Sequence, residues 1–341
     1  MSLKILRKLG EGGFGKVYLF QNTDEYKYAL KVVSLKGYYD IEQAKEEGRI
    51  MMKLCHPHIN QCVFVEPIGT SNLCMALEYC INGTLARKIK LSRIEEPLAV
   101  MWFTQMADAI QYLHEQHIIH RDIKPENILL TSRDQIMVGD LGVARKLKDT
   151  LQSARTCIGT PCYMSPQIQK GQQYTSKTDV WSLGCVFHEV LSRRAPFNYT
   201  MHMPIVEGTT PPLPDNYSDA LRNFIFRVLT REEIGRPSAS EVFIFCKLLL
   251  PGEYQRIKRR RLEPIHLDKQ EIRKALRIYD GTVLSEDYLD SEKSISFSES
   301  SEKSKSFNES STKSKRFNES FVDTNSFSKS FSQSVSLKPD K

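Results

Sequence analysis

Residues 120–127 read His-Arg-Asp-Ile-Lys-Pro-Glu-Asn, and this octapeptide constrains the chain more than any other feature. Asp122, Lys124 and Asn127 place a carboxylate, an ammonium and a carboxamide within six residues. On a helix they would point in different directions. Pro125 after Lys124 argues for a loop, in which all three converge. Phosphoryl transfer needs such a set: a base that orients a hydroxyl, a cation for the moving phosphate, and an oxygen ligand for magnesium. For a lone His-Arg-Asp a solvated polar loop would be the better reading, so the weight rests on partner motifs elsewhere.

Three such motifs occur. Gly10-Glu11-Gly12-Gly13-Phe14-Gly15-Lys16-Val17 has the G-x-G-x-x-G spacing, which dinucleotide-binding folds share. Its flank separates the two readings. Lys16-Val17-Tyr18-Leu19-Phe20 is β-branched and aromatic, so it predicts a returning strand where a dinucleotide loop would lead into a helix. The resulting hairpin has a small tip that can lie over phosphates. Next, Tyr28-Ala29-Leu30-Lys31-Val32-Val33 predicts a strand with Lys31 either facing solvent or meeting nucleotide phosphates. A helix is expected over 40–54, with Ile41, Ala44, Ile50, Met51 and Leu54 on its apolar face. It offers Glu42, Glu46 and Glu47 as partners for Lys31. Finally, Asp140 ends the apolar run Ile136-Met137-Val138 and would join Asn127 and nucleotide phosphates as a magnesium shell.

In this order the motifs resemble the eukaryotic protein kinase superfamily over about residues 3–250. Asp179-Val180-Trp181-Ser182-Leu183-Gly184 and Gly235-Arg236-Pro237 complete the resemblance with a buried aspartate and a buried arginine of the large lobe. It implies an α+β, bilobal fold: a small β-rich N-lobe over about 3–79 and a mostly helical C-lobe over about 80–250. It also implies ATP and Mg2+ as cofactors. Asp122 would be the base and Lys124 the cation; Asn127 and Asp140 would hold the metal. Gly10, Glu11, Gly12, Gly13, Phe14, Gly15 and Val17 would cover the nucleotide, and Lys31 would hold its phosphates. The spacing to His56-Pro57-His58-Ile59 selects Glu47 as the partner of Lys31. Leu77 would close the adenine pocket, and Glu78-Tyr79-Cys80 would be the hinge, with Glu78 and Cys80 meeting the base. Lys124 and Thr160 favour serine or threonine acceptors over tyrosine. Within the superfamily, residues 154–166, with Gly139 and Gly142-Val143-Ala144-Arg145, resemble the NIMA-related (NEK) kinases.

The resemblance also exposes departures. Leu141 stands in place of the usual phenylalanine with similar apolar volume. Gln167 replaces the glutamate that pairs with the arginine matched by Arg236. Unpairing one side of a buried ion pair costs about 3–5 kcal/mol, so a softer large lobe or activation segment is expected. The amide oxygen of glutamine can retain part of the bonding. This departure motivates the alternative of a pseudokinase scaffold that binds ATP or partners without efficient transfer. Regulation is expected at Thr156, with Ser153 as competitor. A phosphate there would meet Arg121, Arg145 and Lys146.

The chain of 341 residues exceeds the roughly 250 of a bilobal kinase. Its net charge of +7 is spread along the sequence, so no nucleic-acid face is expected. No signal-like or membrane-length apolar segment is found, and Val242–Leu250, interrupted by Lys247, reads as a packed helix. Eight scattered cysteines without a C-x-x-C pair suit reduced thiols and offer no zinc site. A cytoplasmic location is expected, with the nucleus or cytoskeleton as further sites.

Residues 251–290 read as a basic linker with a short helix. Arg256–Arg261 is cationic, and Asp268-Lys269-Gln270-Glu271 starts a helix with Ile272, Ala275, Leu276 and Tyr279 at helical spacing. The helix is too short for a coiled coil and is expected to dock on the kinase or on a partner. Residues 291–341 hold a decapeptide repeat, with Phe297, Phe307, Phe317 and Phe327 in phase. One phenylalanine among ten mostly polar residues cannot offset backbone ordering, so the tail is expected to be disordered. It is a candidate multivalent docking segment for partner proteins, beside Ser/Thr-bearing protein substrates.

Overall fold

A computed structural model describes residues 3–12, 15–35, 41–68, 72–141, 161–197, 209–250, 252, 262 and 264–280. The side chains of Ile41, Gln43, Glu47, Pro161, Tyr279 and Asp280 also lie outside this description. Thr156, Thr160, Gly13, Phe14 and the repeat tail fall outside it as well.

The N-lobe is a sheet of β1 (Lys4–Gly12), β2 (Gly15–Gln21), β3 (Lys27–Ser34), β4 (Cys62–Ile68) and β5 (Asn72–Glu78), ordered β1-β2-β3-β5-β4 and antiparallel throughout. Strand alternation places Tyr18, Phe20 and Leu30 wholly inside. The β1–β2 hairpin closes with Gly12 opposite Gly15. Gly15 has φ +146°, and a Cβ there would come within 1.9 Å of the Val32 carbonyl oxygen, so only glycine lets the hairpin lie this close to β3.

Helix α1 (Ile41–Lys53) packs on β4 and β5. Ala44 and Leu54 are buried as the apolar stripe predicts, but Ile50 is 44% exposed. The packed face is instead centred on Gly48, where a Cβ would stand 2.4 Å from Val65 Cγ2. Glycine weakens a helix by about 1 kcal/mol relative to alanine. Here it lets helix and strand approach, a role that hydropathy cannot register.

The C-lobe is built from α2 (Leu85–Leu91), α3 (Glu96–Glu115), α4 (Ser176–Ser192), α5 (Asp219–Val228) and α6 (Ala239–Leu249). Local signals start these helices: the Thr84, Ser218 and Ser238 side chains accept N-terminal backbone amides, and Ser238 and Glu241 form a reciprocal capping box. Phe103 of α3 stacks on Phe187 of α4 at 3.9 Å between centroids. Gly184 lets α4 approach Val228 and Leu229 at the end of α5. A small hairpin, β6 (Ile128–Leu130) and β7 (Ile136–Val138), lies between residues 120–127 and Asp140. Val138 joins it to the chain entering β4: its amide donates to His58 O (2.8 Å) and its carbonyl accepts Asn60 N (2.8 Å).

The segment after the C-lobe returns to the N-lobe. Helix α7 (Lys269–Asp280) begins where Asp268 Oδ1 accepts the Gln270 amide at 2.9 Å. Leu267, Ile272, Ala275 and Leu276 are buried in one cluster with Leu3, Tyr18, Phe20, Leu30 and Val63. The opposite face of the sheet forms a second cluster with Ala44 of α1, Val65, Leu73 and Met75. The N-lobe is thus three layers deep. Each fully buried Leu or Ile contributes about 1.5–3 kcal/mol, enough for the segment to hold its place without a coiled coil. Among the described residues no helix is long and apolar enough to cross a membrane.

Candidate active site

The catalytic loop hangs from a buried carboxylate. Asp179, 1% exposed near the start of α4, accepts the backbone amides of His120 (2.8 Å) and Arg121 (2.8 Å) and a hydrogen bond from His114 Nε2 (2.9 Å). Arg121 has φ 66°, a left-handed conformation that turns the chain toward Asp122. The Asp122 carboxylate is then gripped from two sides. Lys124 Nζ donates to its Oδ2 at 3.1 Å, and Asn127 Nδ2 donates to the same oxygen at 3.1 Å and to the Asp122 carbonyl at 2.8 Å. Pro125–Asn127 forms a 3-10 turn that brings these groups together. The convergence expected from Pro125 is therefore seen in the structure.

Two further bonds join this loop to Asp140. His120 Nε2 lies 2.9 Å from Gly139 O, and the Gly139 amide donates to Asn127 O at 2.9 Å. Asp140 has φ 56°, a conformation that a short polar side chain tolerates. Its carboxylate forms an ion pair with Lys31, which is held in β3 between Val17 and Met75. Burial pushes the Asp140 carboxyl up, but the Lys31 ammonium outweighs it and holds the group below the ordinary carboxylate range. The described partner of Lys31 is therefore Asp140, while the side chain of Glu47 lies outside the described residues.

The donor set suits magnesium held with nucleotide. Asn127 uses its amide nitrogen within the loop, which leaves its oxygen as the ligand atom, and Asp140 adds a carboxylate. Among the described residues no cluster of three or more His, Cys, Asp or Glu could hold a metal by itself. Magnesium bound through one or two protein oxygens, phosphates and waters needs no such cluster. At the hinge, Cys80 is buried, Leu77 packs against the α1 cluster, and the Glu78 amide donates to Gln61 O at 3.0 Å.

A family model of the protein kinase domain matches residues 3–244. The chain belongs to the protein kinase family. Its kinase domain is similar to mouse serine/threonine-protein kinase Nek4 (37% identical over 247 residues, 70% of this chain and 31% of that protein). Mouse Nek1 is 34% identical over 248 residues, 70% of this chain and 20% of that protein. Human Nek11 is 36% identical over 254 residues, 69% of this chain and 39% of that protein. The chain therefore spans well under half the length of these curated relatives. The NIMA-related resemblance read from residues 154–166 agrees with these matches.

Gln167 is not idle in this kinase domain. Arg236 is 1% exposed, and burial pushes its guanidinium down to about 10. It donates to the carbonyls of Lys177 (2.8 Å), Thr230 (3.0 Å) and Arg231 (3.0 Å), and to Gln167 Oε1 at 3.0 Å. The Gln167 amide nitrogen donates to Arg231 O at 2.6 Å, a bond that a glutamate could not make. Trp181 lies beneath the guanidinium, 5.1 Å from its carbon to the ring centroid. Arg236 is thus surrounded by acceptors.

Sequence reasoning also missed the brace on the far end of the activation segment. Tyr163 Oη donates to Glu189 Oε2 at 2.5 Å, and Ser182 Oγ donates to Tyr163 O at 2.7 Å. Burial raises both the Tyr163 hydroxyl and the Glu189 carboxyl, with Glu126 adding to each. Arg121, expected to meet a phosphate, has its guanidinium 5.8 Å from the ring centroid of Tyr174.

Proposed function

We propose that the chain is an active serine/threonine kinase that transfers the γ-phosphoryl group of ATP to protein hydroxyls. The observation that carries this reading is the grip of Lys124 and Asn127 on Asp122 in a loop bonded through His120 to the turn of Asp140. Bound magnesium-ATP supplies the phosphoryl group and the charge that makes its phosphorus electrophilic. Asp122 orients the acceptor hydroxyl and receives its proton as the hydroxyl oxygen bonds to phosphorus and the bond to the β-phosphate oxygen breaks. Lys124 neutralises charge on the moving group. Lys31 fixes the nucleotide phosphates, exchanging part of its contact with Asp140 for them, and Asn127 and Asp140 would hold the metal.

Gln167 motivates the pseudokinase reading, but its bonds go to Arg231 and Arg236 and touch none of the reacting groups. The test is a magnesium-ATP assay on a generic protein substrate with wild type, Lys31→Met and Asp122→Ala. Transfer by wild type and its loss in both variants supports the kinase. Nucleotide binding without transfer in the wild type, with the activation segment phosphorylated, leaves the scaffold. Phosphorylation of Thr156, drawing Arg121 from Tyr174, is the proposed activating event. Equal rates for wild type and Thr156→Ala after dephosphorylation and ATP re-addition would remove it.

A further inference from the structure

Helix α1 and helix α7 lie on opposite faces of the N-lobe sheet, and Glu66 of β4 meets a lysine from each. Its Oε2 stands 2.8 Å from Lys45 Nζ of α1 and 3.1 Å from Lys269 Nζ, the first residue of α7. Burial raises the Glu66 carboxyl, yet the two lysines together hold it below the ordinary range. Two ammonium groups drawn to one oxygen also repel each other. The carboxylate is therefore what keeps them together.

β4 is an edge strand, irregular between Cys62 and Phe64. Edge strands and bulges leave backbone groups without ladder partners. The returning segment supplies them. Ile265 N donates to Val63 O at 3.1 Å within that irregularity. Gln61, 7% exposed, bonds Leu262 in both directions: Nε2 donates to Leu262 O (3.0 Å) and Oε1 accepts Leu262 N (2.9 Å). The carbonyl of the same Gln61 receives the hinge amide of Glu78. Leu267, Ile272 and Leu276 then close the outer face. On the inner face, α1 rests on the same strand through Gly48 against Val65 and Lys45 against Glu66.

We infer that residues 262–280 form a strap that positions helix α1 through β4, with Glu66 as the positioning residue joining the two layers. The role matters because the glutamate partner of Lys31 is expected from α1. This inference rests on the kinase reading for its effect on catalysis, but the mechanical coupling stands apart from it. The strap acts on nucleotide binding and alignment; it supplies no reacting group.

The test uses the full chain with two readouts, amide hydrogen exchange across 41–53 and steady-state phosphotransfer with varied ATP. Ile272→Asp places a charge in the apolar seat of the strap. Exchange should rise about tenfold in the strap and, as the coupled effect, in α1 as well, with KM for ATP rising several times more than kcat falls. Glu66→Gln should leave exchange in the strap as in wild type and still raise it in α1, because the ionic join alone is lost. If Ile272→Asp fails to fold, Gln61→Ala serves as the milder release with the same expected pattern. A strap released with α1 exchange and KM for ATP as in wild type would overturn the inference. A wild type without phosphotransfer would end the kinase reading, and exchange in α1 would still decide the coupling.

Discussion

The catalytic loop and the N-lobe strap solve one problem, fastening residues far apart in the chain, with opposite materials. The loop hangs from Asp179, which is 1% exposed and saturated by two backbone amides and a histidine. The strap holds by apolar burial, one side-chain-to-backbone pair at Gln61 and a partly exposed charge cluster at Glu66. Bonds to a buried charge are short, directional and costly to break, so they suit a loop whose geometry must not vary. Apolar contacts tolerate sliding, so they suit a lobe that has to admit a nucleotide. The two regions are therefore expected to fail differently.

The largest expected effect is at the loop's anchor. Asp179→Ala leaves the His120 and Arg121 amides without their acceptor in a buried setting. A loss of about 3–5 kcal/mol in chemical denaturation is expected, with phosphotransfer abolished. A loss below about 1 kcal/mol would show that the backbone finds other partners and would erase the contrast with the strap.

Next comes the contact between α1 and the sheet. Gly48→Ala should gain helix propensity yet lose about 1–3 kcal/mol, because the added methyl meets Val65. Pairing it with Val65→Ala should recover most of the loss. A double-mutant cycle measures this, and full additivity would mean that the loss does not come from the contact with Val65.

Gln61→Ala is expected to cost about 1–2 kcal/mol by removing both bonds to the Leu262 backbone. Limited proteolysis should then cut first within 262–280 and leave the catalytic loop intact. Cleavage in both regions at equal rates would make them one cooperative unit.

The smallest effect is assigned to Gln167→Glu. The carboxylate would give Arg236 a charged partner, but it loses the amide donation to Arg231 O. The opposing terms should leave stability within about 1 kcal/mol of wild type by thermal unfolding. A gain of several kcal/mol would bear out the expectation of a softened lobe.

These contrasts follow how far each feature reaches along the chain. His120–Asn127 and Asp140 were legible because their spacing and the proline constrain a short segment, and local geometry then converges them. The β1–β2 hairpin was legible from glycine spacing and β-branched flanks. Ile50 was misread because hydropathy favours a bulky residue over Gly48, whereas the sheet demanded the smaller one. Gln167 was read by the charge it lacks, since the carbonyls that surround Arg236 come from residues 177, 230 and 231. The short helix after the C-lobe showed its apolar face in the sequence, but its seat did not.

By itself the sequence determined the chemistry available: a carboxylate, two lysines and a candidate metal-ligand pair, carried on motifs whose order resembles one family. Only the tertiary structure decided what holds them. Asp179 lies 59 residues from His120, and Gln61 lies 201 residues from Leu262. Contacts at such separations leave no periodicity or local spacing to read. They arise when buried polar groups and unpaired strand edges must find partners somewhere in the folded chain.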